Sequence, residues 1–143
     1  MELLSHIKHI VTVAGLAQIA LVLGSVFIPH ILKWKAALNG VQPLIKKLFW
    51  TYAVYILCIN LSFGLLSALA APDLVNGTKL ATLVSAFITI YWLSRVLVQF
   101  FYFDRSSFPT GWLYILGEVA LVCLFIMLTL TYGLAFYLNV NQL

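Results

Sequence analysis

The chain has 143 residues, 64% hydrophobic and 8% charged, with a formal net charge of +4 and a mean hydropathy of +1.07. A soluble domain carries about 25% charged residues, and one this small has too much surface to hide so apolar a composition. A soluble enzyme, a nucleic-acid binder and a disordered tail are therefore excluded. Four long apolar runs predict an all-α polytopic integral membrane protein, a four-transmembrane-helix up-down bundle forming one domain over 1–143.

The first span is predicted at about 10–30. It is too long for the apolar core of a cleaved signal peptide, and Pro29-His30-Ile31 offers no small-residue cleavage site. Pro29 is expected to bend this helix rather than end it. The helix then continues through His30, Lys33 and Lys35 to residue 38, where Asn39-Gly40 stops it. Pro43 suits the first turn of the next helix. Helices one and two are thus expected to form a hairpin reaching beyond the bilayer to 38 and from 43.

The second span is predicted at about 46–71, ended by Pro72-Asp73, with Asn76-Gly77 as the turn. Asn76-Gly77-Thr78 also matches a glycosylation acceptor. The third span covers about 80–103 and the fourth about 111–138, joined by a short loop. Ala20 with Gly24, and Gly64 with Ala68, form small-x-x-x-small pairs that permit close helix packing.

Charge sets the orientation. The face holding the first and third loops carries Lys33, Lys35, Lys46, Lys47 and Arg105 against Asp104. The opposite face carries Lys8 and Lys79 against Glu2 and Asp73. The positive-inside rule makes the first face cytoplasmic and both termini non-cytoplasmic, in a cell inner or plasma membrane. Aromatic residues crowd the same face: Trp34, Phe49, Trp50, Tyr52, Phe100 to Phe103, Phe108, Trp112 and Tyr114. They read as an interfacial belt, or as the lining of a lipid- or quinone-sized site.

Polar residues at membrane depth are the best functional pointers, because hydrocarbon penalises them by roughly 2.5–3.5 kcal/mol for a central Arg. Arg95 and Glu118 stand out. Counted from the span ends, both lie about 10–12 Å from the cytoplasmic face, which predicts an ion pair between helices three and four. Trp92, Arg95 and Gln99 form one stripe; Tyr114, Glu118, Leu121 and Phe125 form another. This candidate site either clamps two helices or holds a proton, an ion or a polar headgroup.

Weaker candidates are Asn60 and Gln18, expected as interhelical polar glue, and His30, expected to join Trp34 and Trp50. His6 and His9 lie one turn apart but have no third ligand nearby, so no metal site is predicted. A bis-histidine haem across two helices is excluded, because every His falls in or before the first helix; a haem with one His and a non-His axial ligand stays open but unmotivated, and the cofactor is unknown. Cys58 and Cys123 sit inside spans as small apolar residues.

No nucleophile elbow, inward carboxylate pair, phosphate loop or H-E-x-x-H occurs, so catalytic residues are not identified and enzyme status stays open. The favoured function is an accessory or oligomeric membrane subunit, partnered by the bilayer and by copies of itself or a larger membrane complex. The alternatives are a lipid- or quinone-binding protein or small membrane enzyme built on Arg95, Gln99 and Glu118, and an oligomeric ion or proton pathway. Nucleic acid is not an expected partner.

Overall fold

The computed structural model of the protein describes residues 2–103, 106 and 110–142. Asp104, Arg105 and Phe108, which enter the charge and aromatic tallies, lie outside the described residues, as does the side chain of Glu2. All regular structure among the described residues is helical: α1 (Glu2–Ser25), α2 (Ile28–Ile31), α3 (Trp34–Ala37), α4 (Pro43–Leu69), α5 (Ala71–Leu74), α6 (Lys79–Phe101) and α7 (Trp112–Gln142). Four stretches are long and apolar enough to cross a membrane: Ser5–Ile31, Pro43–Leu69, Lys79–Phe101 and Trp112–Gln142. The shortest has 23 residues, and at about 1.5 Å per residue it exceeds a hydrocarbon core of about 30 Å. The fold class is the predicted one.

The chain divides into two compact units, Thr12–Ala71 on one hand and Met1–Val11 with Pro72–Leu143 on the other. In the first, α1 and α4 approach backbone to backbone. A Cβ built on Gly15 would lie 2.5 Å from the Ala68 nitrogen and 2.8 Å from the Gly64 oxygen. One built on Gly64 would lie 3.0 Å from Ile19 Cγ1 and 3.1 Å from the Gly15 oxygen. The predicted Gly64 and Ala68 pair is therefore at the contact. Its counterpart is Gly15 rather than Ala20 and Gly24. Ala20 is exposed, and nothing lies within 4 Å of a Cβ on Gly24. At 3.6 residues per turn, Gly24 falls half a turn away from Gly15, whereas Ala14 and Gln18 share the buried side.

Gly15 lies against Ala68, Ile19 against Gly64, and Trp34 against Phe49. Each advance along the first arm is matched by an equal retreat along α4, as an antiparallel hairpin requires. The first arm is not the continuous helix that the sequence predicts. Pro29 has no N–H, so the Ser25 carbonyl loses its donor four residues on. Three-residue bonds take over: Phe27 N donates to Gly24 O at 3.1 Å, and His30 N to Phe27 O at 3.0 Å. Pro29 then sits in the first turn of α2, a position without an intrahelical donor to lose. Lys33, at φ 50 and ψ 43, separates α2 from α3. It is the one non-glycine residue with positive φ among the described residues, and that conformation costs about 1–2 kcal/mol.

Gly15→Ala is expected to destabilise the protein by about 1–3 kcal/mol, because the methyl meets backbone that cannot yield. Gly24→Ala is expected to be neutral or to gain up to about 1 kcal/mol in helix propensity. Thermal unfolding of both variants in one detergent, followed by size-exclusion retention, checks the contrast.

Candidate polar site on helices α6 and α7

On α6 the buried residues are Ala81, Ser85, Ile88 and Trp92, a single stripe at steps of three and four. On α7 they are Leu128, Thr131, Tyr132, Ala135 and Asn139. Trp92 stacks on Phe125 with ring centroids 5.4 Å apart and planes at 30°. Further along, Gln99 Nε2 donates to Glu118 Oε1 at 3.2 Å. From Trp92 to Gln99 is one heptad forward, and from Phe125 to Glu118 one heptad back. The two predicted stripes therefore face each other in antiparallel register.

That register changes one predicted partner. Counting from the span ends puts Arg95 level with Glu118. In the structure Gln99 is level with Glu118, and Arg95 lies one helical turn further from the Phe101 end of α6. Among the described residues no ion pair joins Arg95 to Glu118. The guanidinium carbon instead sits 5.9 Å from the centroid of the Tyr91 ring. Helical side chains lean toward their own N-terminus. Arg95 thus leans away from Glu118 and toward Tyr91, four residues earlier. Arg95, Gln99 and Glu118 are all half-buried.

Trp92 is fully buried, and its indole N–H has no acceptor among the described residues. A buried donor left so costs about 1–3 kcal/mol. Tyr114, predicted on the Glu118 stripe, is 42% exposed in the first turn of α7. The weaker candidates lie in the Thr12–Ala71 unit. Gln18 and Asn60 are buried, and Gln18 Nε2 donates to the Ala14 carbonyl at 3.4 Å. His30 is exposed in α2, while Trp34 gathers Phe49 and Trp50 at 5.0 and 6.0 Å. Cys58 and Cys123 are free thiols on exposed positions, not buried ones.

Sequence reasoning missed a buried polar side chain with three partners. Asn139, fully buried, accepts from Gly77 N at 2.9 Å and donates to Leu74 O at 2.7 Å and to Ser85 Oγ at 3.4 Å. It ties the turn before α6 to α7, and these bonds carry α7 past the predicted end at 138. Gly77 fits twice over. Its φ is +73, and a Cβ there would lie 2.7 Å from Gln142 Cβ. The Asn76-Gly77-Thr78 triplet has a structural use too. Asn76 Oδ1 accepts from Thr78 N and Oγ1, and Thr78 Oγ1 caps α6 by accepting from Ala81 N. The signal in the sequence is an amide on the Tyr132 and Ala135 face, where an apolar residue is expected.

No known family, curated protein or solved structure matches this chain.

Asn139→Leu is expected to cost about 1–3 kcal/mol by leaving the Gly77 N–H and the Leu74 carbonyl unpartnered; hydrogen exchange across residues 74–78 should accelerate. Gln99→Ala and Glu118→Ala, combined in a double-mutant cycle, are expected to show a coupling near about 0.6 kcal/mol and below about 1.7 kcal/mol, the range of interhelical hydrogen bonds in membranes.

Proposed function

We propose that this chain is a small integral membrane protein that works as a subunit, associating laterally through the α6–α7 face. One observation carries the reading: Arg95, Gln99 and Glu118 are only half-buried by their own chain. Ionisable side chains at membrane depth almost always face protein or a polar cavity. The surroundings agree. In α7 only 6% of the most apolar window is buried, against 22–28% in the other three spans. Ile115, Leu116 and Val119 stand outward beside Glu118. A helix from another polypeptide laid there would cover both the apolar strip and the polar edge.

The charge balance supports cytoplasmic first and third loops and non-cytoplasmic termini. A second reading draws on the buried Trp92 N–H. A small polar ligand, lipid-like or quinone-like, could accept from it within the stripe that carries Arg95 and Gln99. An ion or proton pathway has less support, because the hydroxyls of Ser85, Thr89 and Thr129 donate to carbonyls of their own helices.

The test is native mass spectrometry of the protein released from its own membrane in nanodiscs, with a photo-crosslinker at residue 115 or 119. A discrete complex crosslinked at those positions is the expected result. A monomer that crosslinks to lipid alone overturns the reading. A monomer carrying one reproducible small mass moves the assignment to the ligand site.

A further inference from the structure

The four acidic residues, Glu2, Asp73, Asp104 and Glu118, all lie outside Thr12–Ala71. They balance Lys8, Lys79, Arg95 and Arg105 one for one. The Thr12–Ala71 unit holds Lys33, Lys35, Lys46 and Lys47 and no carboxylate, so it carries +4, equal to the formal charge of the whole chain.

The fold brings the segments that carry these lysines together. Trp34 stands between Lys33 and Lys35, and its ring packs 5.0 Å from Phe49 and 6.0 Å from Trp50. Phe49 and Trp50 are themselves 6.1 Å apart. Lys46 precedes them by three and four residues and so shares their face of α4, one turn away. The aromatic triad thus pins the first lysine pair beside the second. Lys33, Lys35 and Lys47 are exposed, and Lys46 is half-buried. The left-handed backbone at Lys33 makes the turn that presents Trp34 to α4.

The positive-inside rule explains why lysines stand at this end of the hairpin. It does not explain why no acid in 60 residues offsets them, since acids contribute little to orientation and are free to occur. Uncompensated positive charge held beside an aromatic cluster with Phe49 exposed and Trp34 and Trp50 half-buried, where two membrane-length helices end, matches one chemistry: a phosphate-bearing anion attached to an apolar chain. We propose that the hairpin tip, residues 33–50, binds anionic phospholipid headgroups, with the lysines on the phosphate and the Trp34–Phe49–Trp50 cluster against the glycerol and upper acyl region. Clusters of four or more basic residues beside a membrane helix attract such lipids. The site is independent of the lateral association proposed above.

The experiment uses the full chain in phosphatidylcholine vesicles with a minor fraction of phosphatidylglycerol, brominated on one lipid or the other to quench tryptophan. Brominated phosphatidylglycerol is expected to quench with an apparent preference of at least about fivefold, the effect of one lysine at an anionic surface. K33Q/K35Q/K46Q/K47Q is expected to abolish the preference. K8Q/K79Q and the fourfold Lys→Arg variant are expected to keep it. Should the fourfold Gln variant not fold, K33Q/K35Q and K46Q/K47Q separately are each expected to lose part. Equal quenching by both lipids in the wild type overturns the proposal, as does a preference unchanged in the Gln variants. A preference erased by inorganic phosphate at constant ionic strength overturns it too, by making the ligand a free anion.

Discussion

Hydrocarbon offers a polar group no hydrogen-bond partner, and much of the arrangement of this chain follows from how such groups find one. Hydroxyls find theirs locally. Those of Thr51, Ser62, Thr82, Ser85, Thr89 and Thr129 donate to the carbonyl four residues back. Two amides join elements instead. Asn139 holds the turn before α6, and Gln99 holds Glu118. Between these two anchors Trp92 stacks on Phe125. Polar contacts at both ends and an aromatic contact in the middle leave the α6–α7 pair one register.

The four membrane-length helices were legible because length and hydropathy suffice to define them. What escaped sequence reading depends on phase and register. Small-residue spacing identifies Gly64 and Ala68 on α4, but on α1 it marks Ala20 and Gly24 and passes over Gly15, since a lone glycine makes no spacing signal. Pro29 is legible in the sequence as a perturbation. Its effect combined with a left-handed Lys33, which no propensity foretells, and the arm divided into three pieces. At the candidate site, the two stripes and their mutual facing were visible at helical spacing. The choice of Gln99 over Arg95 as the partner of Glu118 was not, because it turns on a shift of one turn and on the direction in which side chains lean. Asn139 resembled an ordinary helix end until the turn it holds was in view.

The two units solve the problem of charge in opposite ways. The α6–α7 unit is formally neutral and carries its charged and amide groups into the apolar region, half-covered. The Thr12–Ala71 unit confines its four lysines to residues 33–47, around the hairpin tip, where Trp34, Phe49 and Trp50 close the connection. The first arrangement underlies the lateral association proposed above, and the second the proposed headgroup site.

The close approach of Gly15 to Gly64 and Ala68 also bears on how the chain is made. Every partner in that hairpin, from Gly15 to Ala68, has been translated before α6 begins. The hairpin can therefore pack while the ribosome is still working, by contacts that ask nothing of later sequence. For α6 the order is less kind. Arg95 and Gln99 are translated before Glu118 exists, so Gln99 is for a time without the carboxylate it donates to. Nascent chains halted between residues 103 and 111 would carry that exposed stripe, and insertion factors that shield polar transmembrane segments would be needed most during that interval.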